Sequence, residues 1–557
     1  MTGRLDLEIL ASVSLMALLA GAGAALCACG QVAKTRTAVD AGQESGSSTA
    51  DSGSDGSGGA LPPGSASVLQ HHMSPTRDGV YADPSMTKSL AATLTIDSTF
   101  APPISGDVYA QPLYVTQGPG GDEAFIVATE SNHVAAIDGS GAVIWDRAYG
   151  TPAALSNLPA TCGNINPLGI TGTPVIDMAS RTIYFDAMTL PAGAGATDHP
   201  KHIVHAVSLD DGTEKAAGWP VDVDANVSGF NSFPQNQRGA LALVNGVVYV
   251  PYGGHNGDCN TPPNSYHGWV VGIPVAAPTS VTAFSTGTIG QGSTAGGIWA
   301  VGGIASTTDG ASLFVTTGNT EGASTWAGGE ALLRLTAGPK FVDQSADEFY
   351  TAEWPMDDQT DQDLGAANPV VVDMPGAGSS TQHLVVVPGK DGYLYVLNRD
   401  NLGGVGGQLS RAAVAAQNVG GKGALNAASA AYTTNQGTYV AYHINSGPAG
   451  TGCPSGGGDR SIGVAKLTGT PPTPQVVWCS SENGLGSPMV TTTGTGDVIV
   501  WDANTHLYGY DGDTGATVYA SAGAMASPMH YFNTPIDAGG RIVVATTAPG
   551  RLYVFKR

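Results

Sequence analysis

The sequence predicts an all-β fold: a β-propeller of about eight four-stranded blades, closed into a ring by an N-terminal strand. Three observations predict it. The 557 residues include 79 glycines and 35 prolines, and only 12% are charged. That composition suits short strands joined by tight turns, not helices. Alternating apolar runs ending in Asp, Asn or Gly turns recur along the chain, and no clear 3.6-residue period exists beyond the N-terminus. These runs group into units that return roughly every 40 to 70 residues, the interval of propeller blades with loop insertions.

In chain order, residues 1–29 come first. Ile9 to Leu26 is almost wholly apolar behind Arg4 and ends in Leu26-Cys27-Ala28-Cys29. This resembles a lipoprotein signal peptide, with Cys29, preceded by the small Ala28, as the lipidated residue. Residues 30–67 are rich in Ser, Gly and Asp and cannot bury a core, so they read as a disordered tether. Together they imply an exported protein, lipid-anchored at the cell envelope, on the outer membrane or cell surface. The net charge of -23 argues against nucleic acid and an anionic membrane face as partners.

The propeller spans residues 68–557. "HVAAIDGSGAVIWD" from His133 is strand, turn, strand, and Trp145 on the second strand is expected to pack between blades. Its relatives are "KHIVHAVSLDDGTEKAAGW" at Lys201, "HLYGYDGDTGATVYA" at His506 and "GRLYVFKR" at the C-terminal end. Upstream of each lies a β-branched run, and upstream again a short segment, often led by proline. Those prolines should begin the innermost strands, where a missing donor does little harm. The last unit ends at Arg557 after its third strand. "SLAATLTIDS", Ser89 to Ser98, has no partner of its own, so it should complete the final blade and remove an exposed edge. Four cysteines remain, Cys162, Cys259, Cys453 and Cys479. Three pairings are possible; Cys162 with Cys259 and Cys453 with Cys479 each join neighbouring segments.

The pattern of a strand, an Asp-x-x-Gly turn and a Trp-bearing strand resembles the repeat of pyrroloquinoline quinone (PQQ) β-propellers, from about Val108 to the end. One central stretch resembles the quinoprotein alcohol dehydrogenases more closely. "GGIWAVGGIASTTDGASLFVTTGN" carries a tryptophan after glycine, then a strand, then Thr-Gly-Asn. The resemblance implies Trp299 as the platform under the quinone and Asn319 as a calcium ligand. "DQTDQDLGAANP" implies Asp361 or Asp363 as the catalytic aspartate, and "PGKDGYLYVLNRD" implies Lys390 as a cofactor contact. The chemistry is coherent: an indole gives a flat floor, calcium takes oxygen ligands, and an aspartate takes the alcohol proton.

Other features depart from that family. No adjacent cysteine pair stands in the mature chain, no Cys-x-x-Cys-His haem motif occurs, and Thr360 replaces the expected tryptophan before Asp361. The expected glutamate ligand has no match; Gln235 and Gln237 stand nearby. Two further candidates are a metal-binding loop with His255, Asp258 and His267, and Arg238 as an anion contact lining the channel. On this balance the expectation is a non-catalytic binding or scaffold module for protein or glycan partners. The alternative is a PQQ- and calcium-dependent dehydrogenase oxidising alcohols or sugars.

Overall fold

Pro112, Pro174, Pro369, Pro488 and Pro535 stand immediately before the innermost strands Leu113–Val115, Val175–Asp177, Val370–Pro375, Met489–Thr492 and Ile536–Asp537 in the computed structural model. The three remaining innermost strands are Ala242–Val244, Ala305–Ser306 and Ala430–Thr434. Each leads an antiparallel blade, and the eight blades follow one another in chain order. The structure describes residues 66–159, 163–195, 198–255, 266–290, 293–376, 380–416, 425–444, 453–454, 461–480, 482, 484–494 and 496–557. The expected signal peptide, Cys29 and nearly all of the tether lie outside these residues, as do Cys162, Cys259 and Asp258.

Blades stack face to face, so their central strands are apolar on both sides. Ala124–Ala128, Val498–Ala503 and Ile542–Thr546 are buried at every position. One core cluster joins Tyr184 and Val204 of blade two to Val248, Val250 and Trp269 of blade three. Each fully buried Val or Leu side chain contributes about 1.5–3 kcal/mol. The turn at Asp138 is architectural. Its Oδ1 accepts from the Ser140 and Ala142 amides at 2.9 Å each, closing the hairpin. Trp145 does pack between blades, and its Nε1 donates to the Leu209 carbonyl of blade two at 3.0 Å.

The ring closes as expected, through a shorter strand. Thr95 and Ile96 pair antiparallel with Lys556 and Phe555 of the last blade. The rest of the expected strand differs: Lys88–Ala91 is a helical turn, because the Thr87 side chain caps it by accepting from the Leu90 amide at 3.1 Å. Cys453 and Cys479 form a disulfide with Cα atoms 5.6 Å apart.

The residues ahead of this strand form a floor. Val68 exchanges backbone hydrogen bonds with Tyr114 of blade one, and Leu69 accepts from Ile176 of blade two. Arg77 donates to the Leu241 carbonyl ahead of blade three, at 2.8 Å, and to the Ile304 carbonyl ahead of blade four, at 3.0 Å. Pro75, Thr76, Asp78 and Gly79 accept in turn from Ser306, Val371, Ala431 and Val490 of blades four to seven. Val80–Ala82 then adds to blade seven as a parallel strand. The segment touches each of these blades at its innermost strand or just ahead of it. The loops leading into those strands come several residues earlier in the chain.

Candidate functional site

The lead-in loops of blades three, four and eight place Arg238, Trp299 and Phe532 together on the axis. The Arg238 guanidinium carbon lies 4.4 Å from the Trp299 ring centroid and 5.1 Å from that of Phe532. Its Nε also donates to the Trp299 carbonyl at 2.8 Å. These are cation–π distances. Burial pulls the Arg238 pKa below its ordinary value.

Blades four and five supply the polar half. The helix Trp354–Thr360 starts with a proline in its first turn and ends on Asp361, which adopts a left-handed conformation (φ 57°) and turns the chain back toward the axis. Asp363 follows. Lys390, in the turn between strands Thr381–Pro388 and Tyr393–Asn398, donates its backbone amide to the Asp363 carbonyl at 3.1 Å. Its Nζ pairs with Asp363 and with Asp361, the latter at 2.9 Å, and lies 5.1 Å from the Trp299 ring. Gly318 marks where the halves meet: a Cβ there would lie 2.7 Å from both Trp299 Nε1 and Asp363 Oδ1. Only glycine lets indole and carboxylate approach this closely.

Asn319 sits between two acids. Its backbone amide donates to Asp363 Oδ1 at 3.0 Å. One terminal atom of its side-chain amide lies 2.7 Å from Asp363 Oδ1 and 2.6 Å from Glu330 Oε1. Nitrogen in that position donates to both carboxylates. Oxygen there makes, with them, a three-oxygen donor set of the kind that holds a hard cation. Glu330 is buried, and its Oε2 accepts from the Leu364 amide at 2.7 Å.

The charges differ by environment. Burial and the neighbouring Asp363 hold the Glu330 carboxyl well above the usual range. Burial works to raise Asp363 as well, but the Lys390 ammonium outweighs it and keeps Asp363 ionised. Asp361 is raised by its own partial burial and by Asp363, against the pull of Lys390. Burial pushes Asp358, on the same helix, up to about 6.

Trp299, Asn319, Asp361, Asp363 and Lys390 therefore form one cluster, with Arg238 beside them. Glu330 was not legible in the sequence, because a lone acid in "GGEALLRL" reads as the solvated start of a strand. Gln235 and Gln237 do not take its place. The Gln235 amide is positioned to bond the His267 and Gly253 backbone, and Gln237 Nε2 donates to the Gly239 carbonyl. His255 is buried with Nε2 3.1 Å from the Phe233 carbonyl. Among the described residues no three His, Cys, Asp or Glu side chains are placed to hold a metal ion.

No family model and no curated protein matches the chain. Solved structures do. A quinohemoprotein alcohol dehydrogenase from Pseudomonas putida HK5 superposes with a TM-score of 0.61 at 13% identity, covering 88% of this chain and 80% of that one. A quinohemoprotein alcohol dehydrogenase from Comamonas testosteroni gives 0.59 at 12% identity, covering 88% and 80%. A europium-containing methanol dehydrogenase gives 0.59 at 13% identity, covering 88% and 98%. Identities this low establish architecture alone. The chain is a closed eight-bladed β-propeller with the fold of the quinoprotein alcohol and methanol dehydrogenases.

Proposed function

We propose that the axial mouth binds a flat, anionic redox cofactor of the PQQ type together with a hard cation, in a dehydrogenase that acts on a hydroxyl group. The observation that carries this is the convergence of Trp299, Asn319, Glu330, Asp363 and Lys390 at one end of the channel. The residues fit such a group. Asn319, Glu330 and Asp363 offer the oxygen donors, Trp299 the flat surface, and Lys390 and Arg238 the positive charge that a carboxylated quinone requires. When bound, a quinone supplies the electron-accepting chemistry.

The protein's own residues divide the remaining work. Lys390 fixes Asp363 as a permanent carboxylate. Asp361 is more exposed, with a carboxyl raised above its ordinary value, and is the group suited to take a hydroxyl proton. Arg238 covers the indole, so a flat ligand on that face must displace it. This stacking favours the second reading, in which Arg238 holds Trp299 as framework and the propeller presents its faces to protein or glycan partners.

One titration separates the two. Purified protein is mixed with PQQ and calcium, or a lanthanide, while the quinone absorbance, dye-linked alcohol oxidation and proton release are followed. The proposal expects a shifted quinone spectrum, and proton release as the cation displaces protons from its carboxyl ligands. Trp299→Ala should weaken the quinone step and Asp363→Asn the cation step. No spectral shift and no proton release would leave the scaffold reading.

A further inference from the structure

A second cluster lies at the seam between the N-terminal floor and the last blade. Tyr81 and Asp83 come from the floor strand and the residue after it, and Asp537 ends the innermost strand of blade eight. All three are buried, at 2%, 5% and 5% exposure. Each carboxylate uses one oxygen locally: Asp83 Oδ1 accepts from the Ser85 amide at 2.7 Å, and Asp537 Oδ1 accepts from Gly540 at 3.1 Å. Asp83 Oδ2 and Asp537 Oδ2 meet no donor from elsewhere in the fold; the two carboxyls face one another within hydrogen-bond reach, and the Tyr81 hydroxyl has no hydrogen-bond partner.

These three residues line a common cavity of about 10 Å³, with Ala66, Met73, Ala82 and Gly539 completing it. That is room for about one water or one ion. Ala66 is exposed and Gly539 half-buried, so solvent can reach the outer edge. The cation acting on Asp537 is Arg541, whose guanidinium is already engaged, with Nη1 3.0 Å from Glu123 Oε1 and Nε 2.8 Å from the Ala538 carbonyl. Burial and the facing Asp83 hold the Asp537 carboxyl well above its usual range, against the weaker pull of Arg541. An unpartnered phenol oxygen beside them adds a third donor from outside the acid pair.

We infer that a hard divalent cation binds here, held by Asp83 Oδ2, Asp537 Oδ2 and the Tyr81 hydroxyl, with water filling the outer positions. Such an ion latches the floor to the last blade. The donor set is all oxygen, as calcium and magnesium prefer. The site shares no residue with the axial mouth, so it stands or falls independently of the function proposed above.

The test uses the full chain carrying Asp363→Asn, which removes the axial cation position. Calcium and magnesium are titrated by calorimetry, and thermal midpoints are compared in calcium and in chelator. Terbium then replaces calcium, with its emission read on tyrosine excitation. Calcium should raise the midpoint, and Asp537→Asn should weaken binding roughly tenfold or more. Tyr81→Phe should lose most of the sensitised emission while retaining calcium stabilisation; this readout holds even if Asp537→Asn folds poorly. The inference is overturned if none of the three ions binds. It is also overturned if binding is unchanged in both variants.

Discussion

At the scale of the residue, burial decides the chemistry of the acids. Asp502 in blade seven is 1% exposed. Its Oδ1 accepts from the Ala503 amide at 2.8 Å, while Oδ2 is unpartnered. Burial pushes its carboxyl up to about 8. The folded protein thus keeps a proton that the unfolded chain releases near pH 4, so this group costs stability progressively as pH rises from about 4 to 8. Asp502→Asn keeps the shape and removes the titration. It should stabilise the protein by about 1–3 kcal/mol at pH 8, with the gain vanishing toward pH 4, in urea unfolding followed across that range. Legibility also differed residue by residue. Trp299, Asn319 and Lys390 stood in local motifs that the sequence displays. The sequence offers Arg238 as a channel-lining anion contact, but its stacking on Trp299, like the arrival of Glu330, comes from tertiary placement that no neighbouring residue signals.

At the scale of the element, blades are joined through their outer tryptophans. Trp145 Nε1 bonds the Leu209 carbonyl, and its ring lies against Gly212, where a Cβ would come within 2.8 Å. Trp478 repeats the arrangement, bonding the Gly512 carbonyl at 3.1 Å with its ring against Gly515. Both glycines have φ near +71°, a left-handed conformation that other residues adopt at a cost. Gly212→Ala should therefore cost about 1–3 kcal/mol from backbone strain and more from the clash. Trp145→Phe should cost about 1–2 kcal/mol from the orphaned Leu209 carbonyl. The double variant should fall short of the sum, because both act on one contact. These hairpins were legible because turn chemistry is local. The helical turn at Lys88–Ala91 was not, because its Thr87 cap competes with an alternating pattern that also fits a strand. Nor was the parallel strand Val80–Ala82, whose partner Met489–Thr492 lies some four hundred residues away with no hairpin to announce it.

At the scale of the whole molecule, one arginine holds the floor to two blades. Arg77 is wholly buried and donates to the Leu241, Ile304 and His71 carbonyls and to Gln70 Oε1. Burial lowers its pKa to about 9, so it remains charged at neutral pH. Arg77→Met should orphan these acceptors and cost about 3–5 kcal/mol. Limited proteolysis should then cut within residues 66–83 before the blades; equal protection of that segment in both proteins would contradict its role. Blade number and ring closure could be read from the repeat. The floor could not, because it follows no repeat and meets each blade through a different residue.

The closing strand also sets a timetable. The bond from Thr95 to Lys556 spans 461 residues. At about 5–20 residues per second of synthesis, the first-made part of the fold waits roughly half a minute to a minute and a half before its final partner exists. Until then the first blade and the newest one each present an open edge. The floor leaves the ribosome ahead of every blade, and its strand Val80–Ala82 then waits for Val490–Thr492 to be made.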